Sequence, residues 1–185
     1  MTQKNNYQLK RLETSDQFDS IVSIQADNLI DTVDAITQRQ DGFLVLSLSR
    51  SELQQFHAIH SILLALDQER VIGYLILATR DSTKIHPLID QMIEASFAYR
   101  ITDKTITAPL FVVQVCVAKE NRNQGIFYAL YESMIESAKN QFDCILTHVR
   151  QANTRSLYAH QKMNFKILDP SEEGKVEDFL MCFNF

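Results

Sequence analysis

The strongest constraint on this chain is one succession: residues 110–117, LFVVQVCV, then a polar turn, then GIFYALYESMIESAK. The first run is too apolar to be exposed on both faces, so it reads as a buried strand. Ile126, Leu130 and Met134 recur at helical spacing, which predicts a helix from Gly125 to about Lys139. A second strand, 144–149, follows, and Asn153 is placed to cap a further helix reaching about Met163. Strand, turn, helix, strand and helix define a layered α/β domain.

Upstream, SILLALDQERVIGYLILA places two apolar runs on either side of a polar DQER, the signature of a hairpin. Hairpins beside a crossover mean a mixed sheet rather than a wholly parallel one. Residues 7–12 read as an edge strand. Ser15 or Asp16 caps a helix carrying Phe18, Ile21 and Val22. Residues 29–36 carry a second helical stripe at 29, 30, 33 and 36. Ser49 and Glu52 have the spacing of a capping box before Leu53 and Phe56. Residues 81–107 read as an insertion in which Pro87 starts a helix and Leu88, Met92, Ala95 and Tyr99 keep helical spacing. Such insertions often shape a substrate mouth. Residues 165–168 and 179–185 close the chain as strands.

At 185 residues with no linker-like tract, one domain over 1–185 is expected. Apolar residues make up 45% and charged residues 22%, an ordinary globular balance. The net charge of −5 and the lack of a basic block argue against nucleic acid or a membrane surface as partner. Residues 2–11 lack the apolar core of a secretory signal, and no apolar run has bilayer-spanning length. Cys116, Cys144 and Cys182 each sit in an apolar run without metal-ligand spacing, so buried thiols, no metal and a cytoplasmic setting are expected.

Two segments carry candidate chemistry. In the first, Arg122, Asn123 and Gln124 precede Gly125, which opens a helix. Free N–H groups and the positive end of the helix dipole there suit a phosphate, while a plain connection would need the glycine only for its backbone angle. Neither GxxxxGK[ST] nor GxGxxG occurs, which argues against a kinase or a Rossmann oxidoreductase. In the second, Asn153, Ser156, His160 and Met163 share one helical face. Asn153 and Ser156 are also natural helix-start residues, and His160 can complement the helix C-terminus.

In this order and separation the two segments resemble the GNAT superfamily of acetyl-CoA-dependent N-acetyltransferases, over about residues 110–168. Arg122, Gly125 and Phe127 stand at the positions of the family's Q/R-x-x-G-x-G/A turn. Asn153, Ser156, His160 and Asn164-Phe165 stand where the family has N-x-x-A/S, a tyrosine and G-F. Phe127, His160 and Asn164 depart from the pattern. The resemblance implies a GNAT-like mixed sheet of about six or seven strands, flanked by helices and splayed between 110–117 and 144–149.

It also implies acetyl-CoA as co-substrate and transfer of acetyl to a primary amine of a small molecule or peptide. Val115, Cys116 and Val117 would bond the pantetheine arm, with Val117 N–H polarising the thioester carbonyl. Arg122, Asn123, Gln124, Gly125, Ile126 and Phe127 would hold the diphosphate, and Asn153 and Ser156 the pantetheine from the other wall. His160 would replace tyrosine as proton donor to the thiolate, since an imidazole near pKa ~6.5 can donate around neutrality. Gln114, polar within its strand, could position a water but not act as a base. Cys116 is expected to be a packed thiol rather than a nucleophile. A homodimer is compatible with the family. The alternative is a GNAT-fold module that binds acyl-CoA without turnover.

Overall fold

Gln68 and Glu69 turn the chain between two apolar runs, and these pair antiparallel as β2 (Leu63–Asp67) and β3 (Arg70–Ala78). Before them come β1 (Gln8–Arg11), α1 (Asp16–Ala26), α2 (Ala35–Asp41) and α3 (Arg50–Ile59). After them come α4 (Pro87–Ser96), a short pair β4 (Arg100–Ile101) and β5 (Lys104–Thr105), and β6 (Pro109–Val117). The chain closes with α5 (Ile126–Ala138), β7 (Cys144–Arg150), α6 (Thr154–Lys162), β8 (Lys166–Ile167) and β9 (Asp178–Asn184). This computed structural model describes residues 6–97, 100–101, 104–168 and 178–185.

Seven strands form one mixed sheet in the order β1-β2-β3-β6-β7-β9-β8. Only β6 and β7 run parallel, joined through α5; the other neighbours are antiparallel. One face packs on α1, α3 and α4 through Phe18, Ile21, Leu53, Phe56, Ile89 and Ile93. The other packs on α5 through Ile126, Leu130, Tyr131, Met134 and Ala138. Removing apolar side chains from water on both faces, at roughly 1.5–3 kcal/mol for each large one, is the main driving force for this layering.

A bulge sits in β6. Ile76 pairs with Gln114 and the next residue, Leu77, pairs with Val112, leaving Val113 as the extra residue. The side-chain phase therefore slips there. Phe111 and Val113 face the α1 side, and after the bulge Cys116 does, while Val115 and Val117 turn to the α5 side.

The Ser49–Glu52 capping box forms as expected. The stripe at 29–36 does not make one helix: Leu29 bridges Leu44 in parallel, and α2 starts only at Ala35, capped by Asp34. Asp34 accepts from the Ile36 and Thr37 N–H groups, a local bond that outcompetes the apolar spacing and leaves Ile36 exposed. In α4 the buried stripe is Ile89 and Ile93 rather than Leu88 and Met92, and Leu88 is exposed. Tyr99 lies outside the described residues. Along β9, Leu180, Met181 and Cys182 are buried in succession, so that strand is covered on both faces rather than alternating.

Candidate active site

Two features place the site: the start of α5 and the parting of β6 from β7. At the first, Asn123 and Gly125 both take left-handed angles, φ 62° and 80°. A Cβ on Gly125 would find nothing nearer than Tyr7 Oη at 4.0 Å, so the glycine is required by its backbone angle and not by crowding. The first helical bond runs from Ala129 N–H to Gly125 C=O (3.0 Å), and no side chain caps the helix. The N–H groups of Ile126, Phe127 and Tyr128 are thus outside the helical ladder, at the positive end of a thirteen-residue helix. The angle that requires glycine is also the one that presents these donors.

At the second, β6 and β7 pair only from Pro109↔Cys144 to Phe111↔Leu146. Thr147 Oγ1 reaches Val112 C=O at 3.1 Å, and beyond it the strands separate. Ala118 N–H donates to Ile72 C=O (2.9 Å). Antiparallel alternation then directs the main chain of Ala118 and Cys116 toward β3, and that of Val115 and Val117 toward the opening. The expectation for the main chain of Cys116 is corrected by that alternation. Its thiol does line the opening, but burial pushes it up to about 12, so it is a packed, protonated group.

Between these features lies a cavity of about 380 Å³. Val115, Cys116, Val117, Arg122, Asn123, Gly125, Ile126, Phe127, Asn153 and Ser156 all line it. Gln124 is exposed and His160 is buried, and neither is among the lining residues.

His160 is 2% exposed, enclosed by the rings of Phe127, Tyr131 and Phe165 with centroids 5.3–5.4 Å away. Its Nδ1 lies 2.8 Å from Ser156 C=O, which can only accept, so the proton sits on Nδ1. Nε2 then accepts from Tyr131 Oη at 2.6 Å. Burial lowers its pKa to about 4. The imidazole is neutral at pH 7 with both nitrogens engaged, which does not suit the expected proton donor. Helix α6 is rotated so that Arg155, Ala159 and Lys162 face the cavity and His160 faces α5.

The family model for the acetyltransferase (GNAT) family matches residues 30–165. The chain belongs to this family. Solved structures share the fold at low identity. The smu.2055 protein of Streptococcus mutans UA159 is 16% identical with a TM-score of 0.62, covering 96% of this chain and 98% of that one. The ribosomal-protein-S18-alanine N-acetyltransferase of Escherichia coli is 12% identical with a TM-score of 0.62, covering 96% and 93%. The PaiA N-acetyltransferase of Thermoplasma acidophilum, in complex with coenzyme A, is 13% identical with a TM-score of 0.61, covering 97% and 99%. No curated protein matches the chain.

In this GNAT chain one wall of the cavity was not legible in the sequence. Residues 28–44 cross the opening as a strap held at both motif residues. Arg122 Nη1 lies 2.8 Å from Asp41 Oδ2, and the same guanidinium donates to Asn28 Oδ1 and, through Nε, to Val117 C=O at 3.3 Å. Asn153 Nδ2 donates to Phe43 C=O at 2.8 Å. Gln114 joins β3 to the strap side: Oε1 accepts from Tyr74 Oη (2.6 Å) and Nε2 donates to Leu46 C=O (2.7 Å). Arg155 reaches Asn123 Oδ1 at 3.2 Å, and Lys162 lies over the Tyr158 ring, leaving two cations on the cavity wall. No helix among the described residues is long and apolar enough to cross a membrane. Among those residues no group of three His, Cys, Asp or Glu side chains could hold a metal.

Proposed function

We propose that this chain transfers an acetyl group from acetyl-CoA to a primary amine by direct attack on the thioester. The observation that carries this reading is the continuity of one cavity from the N–H groups of Ile126–Tyr128, which lie outside the helical ladder, to the edge of β6 at Val115 and Val117, where the pairing with β7 has ended. A diphosphate fits the first and the amides of a pantetheine arm fit the second. Asn121 adds to the fit, because it lines the cavity and its buried Oδ1 has no partner among the described residues.

When bound, acetyl-CoA supplies the activated acyl group. Val117 N–H polarises its carbonyl, and the main chain from Asn123 to Phe127 holds the diphosphate with Arg155 and Lys162 nearby. Ser156 orients the pantetheine. Arg122 and Asn153 act indirectly by fixing the strap against which the ligand lies. His160 is a positioning residue that joins α5 to α6, and the departing thiolate takes its proton from water in the open cavity. On the same reading, residues 1–185 form one acetyltransferase domain, cytoplasmic and metal-free, with a small-molecule or peptide amine as acceptor. The cations on the cavity wall serve the cofactor, and the acidic total favours a cationic acceptor.

The test is thiol release from acetyl-CoA with a panel of polyamines, amino acids, aminoglycosides and peptides. Release with at least one amine is expected. Binding of acetyl-CoA without release on any of them would favour the non-catalytic acyl-CoA module. A second expectation concerns the turn: Gln124→Glu puts a carboxylate beside the diphosphate donors. It should weaken coenzyme A binding by roughly fivefold at low salt, about 1 kcal/mol of repulsion, and by less at high salt. Calorimetric titration at two ionic strengths measures both effects.

A further inference from the structure

A line of buried hydrogen-bonding groups runs beneath the cavity and meets it at Ser156. It begins where β6 and β7 part, at Thr147, whose Oγ1 donates to Val112 C=O (3.1 Å). Tyr131, on α5, stands beside that hydroxyl, and its own Oη lies 2.6 Å from His160 Nε2. His160 Nδ1 lies 2.8 Å from Ser156 C=O and 3.3 Å from Ser156 Oγ. Thr147, Tyr131 and His160 are buried, and none of them lines the cavity. The Phe127 ring does line it and packs on both the phenol and the imidazole. Ser156 is the member of the line that reaches the cavity wall.

The direction of the protons along this line follows from its members. Ser156 C=O can only accept, so Nδ1 carries the ring proton and Nε2 must accept. Burial raises the pKa of Tyr131, with Thr147 drawing it the other way, so the phenol keeps its proton and supplies it to Nε2. Both contacts select the same tautomer. With its proton on Nδ1, the imidazole offers Ser156 Oγ a donor and no lone pair. The serine hydroxyl can then only accept from the ring, and Oγ makes no other hydrogen bond among the described residues. Its own proton is left for the cavity that the residue lines. In the other tautomer Nδ1 would take that proton, and the hydroxyl would turn inward.

We propose that Tyr131 is a positioning residue of this site, acting through His160 to keep the Ser156 hydroxyl turned into the cavity as a hydrogen-bond donor. The inference rests on the acyl-CoA reading, in which the group that accepts from Ser156 is an amide carbonyl of the pantetheine arm. Tyr131 touches neither cofactor nor acceptor. It biases the tautomer of His160, and the tautomer sets which way the serine points. Hydrogen bonds in a chain polarise one another, so the bond that Ser156 receives from Nδ1 strengthens the one it gives.

Two measurements test this. Nitrogen–proton correlation spectra of the histidine rings read the tautomer directly. Wild-type His160 should be neutral at pH 7 with its proton on Nδ1, and Tyr131→Phe should show a fraction with the proton on Nε2. Calorimetric titration with acetyl-CoA then compares wild type, Ser156→Ala, Tyr131→Phe and the double variant. A neutral hydrogen bond is worth a factor of about 2–12 in affinity, so Ser156→Ala should weaken binding by that order. Tyr131→Phe should weaken it by no more than Ser156→Ala does, and should add nothing once Ser156 is replaced. Equal losses from Tyr131→Phe in both backgrounds overturn the inference, because Tyr131 would then be a packing residue. Wild-type affinity in Tyr131→Phe overturns it too. So does a wild-type ring protonated on Nε2, a result that needs no variant to fold. A wild type that binds no acetyl-CoA overturns the acyl-CoA reading and the role of Ser156 with it, while the ring spectra still report the tautomer.

Discussion

Taking the protein from pH 7 to pH 4 weakens the fold by roughly 3 kcal/mol through His160 alone. Unfolded, this histidine titrates near 6.5, whereas burial among aromatic rings holds it at about 4 in the folded chain. Between those values the unfolded chain binds more protons, so stability is full above about pH 6.5, declines as the pH falls, and levels off below about 4. His148 is shifted in the same direction by burial and adds to the slope. Urea unfolding of the wild type and of His160→Gln at pH 7, 5.5 and 4.5 isolates the contribution of His160. The variant should start about 1–3 kcal/mol less stable at pH 7, since the buried Tyr131 hydroxyl loses a well-placed partner. It should then lose less on acidification than the wild type. Parallel pH curves would mean that the imidazole is accessible to water and available as a proton donor after all.

Gly42→Val should cost about 2–4 kcal/mol and also weaken coenzyme A binding. Gly42 sits at φ 79° and ψ −178°, a region essentially reserved for glycine, and holding another residue there costs on the order of 1–3 kcal/mol. A Cβ at that position would also lie 2.8 Å from Asn153 Oδ1. Relief of that collision moves either the strap or the Asn153 amide, and the bond from Asn153 Nδ2 to Phe43 C=O is lost with it. A lower urea midpoint at unchanged slope is expected, because the damage is local and the surface exposed on unfolding stays the same. A wild-type midpoint would show that the strap is not held where Asn153 meets it.

The parts legible in the sequence were those whose partners are near in the chain. The Ser49–Glu52 box, the 63–78 hairpin and the 126–138 helix each rest on contacts within a few residues or on one apolar stripe. Val115, Cys116, Val117, Arg122, Asn123, Gly125, Ile126 and Phe127 were legible as cavity residues because strand edge and helix start are consecutive, whereas Asn121 was not. The roles of Arg122, Asn153 and His160 were not. Asp41, Asn28 and Phe43 capture the first two across distances in sequence that no local pattern encodes. His160 shares a helical face with Asn153, as its spacing requires, but at its own level of α6 that face packs against Phe127 and Tyr131 of α5 and not on the cavity. Phe127 fills the space where a small residue would leave room, and its ring covers the imidazole. Two of the three departures from the family pattern, Phe127 and His160, are therefore one packing arrangement.

Thermal unfolding against increasing acetyl-CoA tests the central claim most directly. A ligand of the native state at a hundredfold excess over its Kd adds about 2.7 kcal/mol, roughly 5–10 °C for a chain of this size. A saturable rise of that order, reduced in Gln124→Glu and Gly42→Val, is the predicted result. An unchanged midpoint at millimolar acetyl-CoA would contradict it, because the cavity between β6, β7 and α5 would then not be an acyl-CoA site.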